Sequence, residues 1–420
     1  MAERIYNFID LFAGCGGLSE GFYHQGFHAL AHVEIDHFAC KTLKTRMRYY
    51  GYSTADHAVM EQDITAKDIV KKIEAVVGDE VADIIIGGPP CQSFSPLGKA
   101  KDDNNMQKDP RNYLFENYVK VLNHFKPKFF VFENVTGLLD TEIQGKSIFK
   151  IILRRLRQKY RVLSKEETIV LNATSYGVPQ ERKRVILIGT RRDLDAKPEE
   201  LYAAIQKTHY LPGDSGKQKD GLKRYVTVRD AIADLPKLHS GEGTVEAEYP
   251  NDYSECPEYV KLLRKPSDTV LRDHVARRNN EKDVERYKVM AENHWNFLQL
   301  LDFRPDLAHE KKRVFFNSYK VQWWDMPART IIAHLYKDGN QFIHPDYEQG
   351  RSLTVREAAR LQSFPDDFIF EGSRTEQFKQ IGNAVPPMLA EAIAKAIKSK
   401  LDELERNGQG DIQECNGITI

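Results

Sequence analysis

The stretch DIIIGGPPCQSFSPLGKA, residues 83–100, decides how the chain is read. Ile84, Ile85 and Ile86 make a short β-branched run without alternation, the pattern of a strand covered on both faces, as in a parallel sheet. Gly87 and Gly88 end the run. Pro89 and Pro90 then hold the backbone extended and forbid a helix until Cys91 has passed, so the thiol is expected on a rigid turn at a strand's carboxyl end. In open α/β sheets that edge is where ligands bind. Position alone leaves two readings open: a nucleophile in a crevice, or one more small buried residue.

On either side of this stretch strand-like and helix-like patterns alternate. YNFIDLFA, HALAHVEI, ADIIIGG, KFFVFENV, ETIVLNA and KRVILIGT read as strands, and the segments HFACKTLKTRMRYY, AKDIVKKIEAVV, YLFENYVKVLNHF and SIFKIILRRLRQKY carry apolar residues at helical spacing. The expectation is an α/β fold with a doubly wound, mostly parallel sheet at least six strands wide. After Thr190 the alternation fails, and residues 193–350 are irregular. LTVREAARLQSF and PPMLAEAIAKAIKSKLDELE then return to helical periodicity. The organisation expected is residues 1–192 as the first part of a catalytic and cofactor-binding domain, 193–350 as an inserted smaller domain, 351–406 as the return to the first, and 407–420 as a polar tail.

Lysine plus arginine and aspartate plus glutamate number 61 each, so no global basic charge advertises nucleic acid, and any such surface must be local. No apolar stretch is long enough for a membrane span and the N-terminus lacks the layout of a signal peptide, which predicts a cytoplasmic protein. The five cysteines are far apart and include no C-x-x-C pair, so reduced thiols are expected rather than a metal site or disulfide framework.

Directly after the first strand, DLFAGCGGLSEGF places Gly14, Gly16 and Gly17 in a turn that leads into a helix. Glycines there let backbone N–H groups approach a ligand, although a plain tight turn looks the same. Glu34 closes the second strand about twenty residues on, where a carboxylate can accept from both hydroxyls of a ribose. Asp63 in EQDIT is a second acid, suited to the exocyclic amine of adenosine.

With GPPCQSFS, FENV, QERKR, RSLTVREAARLQSFP and QIGNAVPP following DLFAGCGG in that order, the chain resembles the DNA (cytosine-5) methyltransferases of bacterial restriction-modification systems. The resemblance covers residues 8–189 and 351–401. It implies a class I S-adenosylmethionine-dependent methyltransferase, Rossmann-like, with an inserted DNA-recognition domain. By that resemblance Cys91 is the thiolate that adds to carbon 6 of a flipped cytosine, making carbon 5 nucleophilic. Glu133 acts at N3 of the base, Arg184 holds the carbonyl at position 2, and Arg182 supports the loop or a phosphate. Phe12, Pro90, Leu114 and Asn383 join Gly14, Gly16, Gly17, Glu34 and Asp63 around S-adenosyl-L-methionine, while Ile35 stands where many relatives have an aromatic residue. Gln92 and Ser95 fall beside the nucleophile as DNA contacts.

Two further DNA contacts, Arg277 and Arg278, are expected in the basic segment KLLRKPSDTVLRDHVARRNNEKDVERYK of the inserted region, where the family keeps its recognition domain. The resemblance implies double-stranded DNA as partner, a monomer, location at the bacterial nucleoid, and a restriction endonuclease acting separately. Three rivals are weighed against it. An RNA methyltransferase of the same build would carry a Cys-Phe-Thr tripeptide, an amino-group methyltransferase an aromatic residue after Pro-Pro, and a silent relative would have lost Cys91, Glu133 or Arg184. None of these departures occurs.

Overall fold

The computed structural model describes residues 4–90, 110–214, 221–308 and 318–408; Cys91, Gln92 and Ser95 lie outside them. Eight strands form the main sheet: β1 (Asn7–Leu11), β2 (His28–Glu34), β3 (Val59–Glu61), β4 (Ile84–Gly87), β5 (Phe129–Val135), β6 (Tyr160–Val162), β7 (Val170–Asn172) and β8 (Lys183–Arg191). Their order is β3-β2-β1-β4-β5-β8-β6, with β7 also paired to β8. The first five run parallel. The last three form antiparallel pairs around β8, which itself runs antiparallel to β5. The sheet is thus mostly parallel at its centre, as expected, and wider than the six strands legible from the sequence.

Successive side chains of a strand face opposite sides, and here both sides are covered. Phe8, Ile84, Ile86, Phe129, Val131, Ile186 and Ile188 join one buried cluster. Ile9, Leu11, Ile85, Phe130, Phe132, Val185 and Leu187 join the other. Helices α1 (Gly17–His24), α2 (His37–Tyr49), α3 (Ile69–Val77), α4 (Leu114–Phe125) and α5 (Ile148–Leu156) complete the layers.

The inserted region holds a two-stranded antiparallel sheet, β9 (Gly243–Glu248) with β10 (Val270–Val275), and helix α6 (Glu281–Glu292). After it come α7 (Val355–Leu361), α8 (Arg374–Asn383) and α9 (Pro387–Arg406). Residues of the insertion, including Val226, Leu271 and Ile331, share one buried cluster with Leu353, Phe364 and Ile381 of the return segment.

Helix α9 closes back onto α1 at backbone distance. A Cβ added at Gly21 would stand 2.2 Å from the Glu391 nitrogen, and one at Gly17 would stand 2.4 Å from the Val385 carbonyl oxygen. No larger residue fits at either position, so the last helix and the first form one packed layer.

Candidate active site

The strand order reverses between β1 and β4, the place where an α/β sheet opens a crevice beyond its strand ends. The turns after β1, β2 and β4 converge there. Glu34, the last residue of β2, accepts the Gly14 N–H at 2.7 Å and the Ile35 and Asp36 N–H groups at 2.8 Å each. Burial raises the pKa of its carboxyl, and the three N–H groups oppose that rise. Glu34 therefore fastens the glycine turn to β2 and keeps one acceptor position, on Oε2, for a ligand.

Of the three glycines, only Gly14 faces open space, with no heavy atom within 4 Å of an added Cβ. Gly16 backs onto Leu43 and Gly17 onto the return segment. Phe12 sits half-buried at φ 59°, and it and Leu114 pack at the edge of one sheet cluster. Asp63 is exposed and accepts from the Thr65 N–H and hydroxyl at 2.8 Å each. Ile35 is 66% exposed beside Glu34. Asn383 ends α8 in an exposed position, next to the Ala384 that approaches the start of α1.

The open cradle at Gly14 and the acceptor at Glu34 suit a nucleoside with a ribose. The donor set fits S-adenosyl-L-methionine.

At the other end of the crevice Glu133 and Arg184 face one another from antiparallel β5 and β8. The Arg184 Nε stands 3.0 Å from Glu133 Oε1, with side chains only 12% and 14% exposed. The Arg184 Nη1 also donates to the Lys183 carbonyl at 2.8 Å. Burial lowers the guanidinium pKa and Glu133 raises it. An added Cβ at Gly88 would stand 2.7 Å from Glu133 Oε2, so the turn that leaves β4 passes directly over the carboxylate.

Asn134 fixes that turn by donating from Nδ2 to the Pro89 carbonyl at 3.1 Å. Pro90 ends the described part of the turn and is exposed.

Of the two roles expected for Arg182, support of the loop or of a phosphate, its surroundings favour the first, because its side chain is 1% exposed and its guanidinium is already engaged. It donates to the carbonyls of Ile331 (2.7 Å), Gly382 (3.2 Å) and Ala384 (2.8 Å). Burial and the neighbouring Arg184 charge both lower its pKa. Arg182 is a fastener between the base end, the insertion and the return segment.

Gln180 and Gln362 complete this joint, and sequence reading assigned neither a role. Gln180 donates to the Leu361 carbonyl and the Gln362 Oε1, and accepts the Ile331 N–H. Gln362 donates to the Ile381 and Ala384 carbonyls. Their presence in QERKR and RLQSFP was the available signal.

Arg277, expected as a DNA contact, is half-buried, and its guanidinium donates to the carbonyls of Leu335, Tyr336 and Lys337. Arg278 is exposed. A large open cavity of about 1350 Å³ lies elsewhere, between the segments after β5 and before β8. It includes neither Phe12, Glu34 nor Glu133, so the crevice is defined by its chemistry and not by cavity size.

A family profile described as C-5 cytosine-specific DNA methylase matches residues 6–399. The chain belongs to this family. The methylase is 36% identical to the type II methyltransferase M.Bpa9945I of Bacillus paralicheniformis, over 94% of its own length and 99% of that relative. It is also 36% identical to the type II methyltransferase M.DdeI of Desulfomicrobium norvegicum, over 93% and 88%. Among solved structures it resembles a DNA modification methyltransferase encoded within an E. coli prophage, with TM-score 0.64 and 24% identity over 94% and 99% of the two chains. The methyltransferase EhMeth of Entamoeba histolytica shares the fold at TM-score 0.55 and 13% identity, over 95% and 99%. The methylase is an enzyme that acts on cytosine carbon 5 in DNA. Among the described residues no helix is long and apolar enough to cross a membrane.

Proposed function

We propose that the methylase is the modification enzyme of a type II restriction-modification system, working on a flipped-out cytosine of duplex DNA through a covalent Cys91 adduct. Residues 193–350 serve as its recognition domain. The observation that carries the mechanism is the Glu133–Arg184 pair lying beneath the turn that leads to Cys91. S-adenosyl-L-methionine, held by the Gly14 turn, Glu34 and the neighbouring Phe12, Leu114, Asp63, Pro90 and Asn383, supplies an electrophilic methyl group when bound.

The chain's own residues do the rest. The Cys91 sulfur bonds to carbon 6 of the base, while Glu133 holds a proton at N3 and Arg184 holds the carbonyl oxygen at position 2. In the last step the hydrogen on carbon 5 leaves as a proton and the electron pair of that bond expels the sulfur from carbon 6. Gln92 and Ser95, beside Cys91, and Arg278, in the insertion, contact DNA. The protein works as a monomer at the bacterial nucleoid, and a restriction endonuclease of matching specificity acts separately.

Replacing the departing hydrogen with fluorine leaves nothing for a base to remove. Duplex DNA containing 5-fluorocytosine is therefore expected to give a denaturant-resistant complex that needs S-adenosyl-L-methionine and maps to the peptide containing Cys91. Cys91→Ala should form no complex and no 5-methylcytosine while binding S-adenosylhomocysteine normally. Methylation of ordinary DNA without a trapped complex would refute the covalent route, and an adduct at Cys15 or Cys40 would refute the choice of nucleophile.

A further inference from the structure

We infer that Arg329, backed by Lys320, is a binding site for one backbone phosphodiester of the substrate duplex beside the extruded base, an assignment that rests on the DNA function proposed above. Arg329 lies in the segment that clasps the loop of Gln180, Glu181 and Arg182. The Ala328 N–H donates to the Pro179 carbonyl and the Glu181 N–H to the Ala328 carbonyl, both at 2.8 Å. On its other side the Thr330 hydroxyl donates to the Glu181 carbonyl at 2.6 Å. Its own N–H donates to the Gln322 Oε1 at 3.0 Å. The backbone of Arg329 is thereby fixed to the loop that carries Arg184 to the Glu133 carboxylate.

The side chain is treated quite differently. It is exposed, and among the described residues no carboxylate forms an ion pair with it or with Lys320. The nearby Asp325 is already paired to Arg229 at 3.1 Å. Lys320 lies two residues before the Gln322 that accepts the Arg329 N–H, and its pKa is lowered first by burial and then by the Arg329 guanidinium. Two cations held near one another without a counter-ion repel, and a bridging anion relieves that repulsion. The chemistry that fits is a phosphate, which a guanidinium grips through two parallel N–H bonds. A duplex whose base enters the crevice must carry its phosphates across this rim.

The test is the salt dependence of binding to duplex DNA by the intact protein. Each lost phosphate contact lowers the slope of log affinity against log salt by about one. Arg329→Ala is expected to lose about one unit of slope and raise KM for DNA, and Arg329→Lys to restore the slope. S-adenosylhomocysteine affinity, read by titration calorimetry, should stay at the wild-type value and establishes that the variants are folded. A wild-type slope in Arg329→Ala overturns the assignment. Wild-type protein that binds duplex DNA with the full slope but forms no 5-methylcytosine would instead fail the functional reading and leave the phosphate contact standing.

Discussion

At the ends of β1 and β2 the crevice is walled largely by backbone, with the Gly14 turn fastened to Glu34, whereas at the ends of β5 and β8 it is walled by side chains, with Glu133 against Arg184 and Arg182 buried behind them. A backbone wall is set by chain path and tolerates changes in neighbouring side chains. A side-chain wall stands or falls with single residues. The two ends should therefore fail separately, one in ligand affinity and the other in turnover.

The sharpest break is Arg184→Ala, which removes the cation facing Glu133. Turnover should fall by about 10²- to 10³-fold, the usual cost of one lost charge-stabilising donor, with S-adenosylhomocysteine affinity retained. An equal loss of affinity would mean that the two ends are one unit. Glu34→Ala should do the reverse, weakening cofactor affinity by roughly tenfold or more, because hydrogen bonds to a charged group contribute about 1.5–3 kcal/mol. Unchanged affinity in calorimetry would remove Glu34 from the site.

The neighbouring arginines of the insertion offer a smaller contrast. Arg278→Ala should lower the DNA-binding salt slope by about one, while Arg277→Ala should leave the slope alone and lower the unfolding midpoint, since Arg277 is engaged with three carbonyls. A slope change in Arg277→Ala would place Arg277 at a DNA phosphate.

The last effect, read in stability and not in turnover or affinity, lies beneath the backbone wall. Asp10 is fully buried in β1, accepts the Ser19 hydroxyl at 2.5 Å, and has its carboxyl pushed up to about 8 by burial. The folded state therefore keeps this proton when the unfolded chain has lost it, and stability falls as pH rises from about 4 to about 8. Asp10→Asn abolishes that titration. Its stability relative to wild type should increase across the same window, by no more than about 1.4 kcal/mol per pH unit, the slope for one proton. His24, raised to about 9 against burial by Glu20 and Glu391, contributes stability below about 6.5 that is lost as pH rises through 9. That contribution is common to both proteins and cancels in the difference. Parallel denaturation curves at pH 5 and pH 8 would dismiss the buried proton.

The strands that could be read from the sequence were those with enough buried residues to show a pattern. β3 and β6 have three residues each, too few for any period to register. ETIVLNA looks like one strand, yet Glu166–Ile169 take a helical turn and only Val170–Asn172 remain extended. Helix α8 escaped notice because its buried face mixes Gln377 and Gln380 with Phe378 and Ile381, so polar residues interrupt the apolar stripe.

At the site, residue type was legible and direction was not. Arg182 and Arg184 are two apart and would share a face if both lay in a strand, but β8 begins at Lys183 and leaves Arg182 in the preceding turn. Arg277 and Arg278 are adjacent and chemically identical, and only the carbonyls of residues 335–337 distinguish them.

The glycine contact between α1 and α9 has a consequence for how the protein is made. Gln25 of the α1 end bonds to Glu391 of α9, 366 residues later in the chain. A ribosome adding roughly 5–20 residues per second needs on the order of 20–70 s to cover that distance. Throughout that interval the Gly17 and Gly21 face of the first helix has no cover, and a nascent chain truncated before residue 387 would hold its nucleotide turn only from the Glu34 and Leu43 side. Biosynthesis of this enzyme thus ends, and does not begin, with the completion of its first layer.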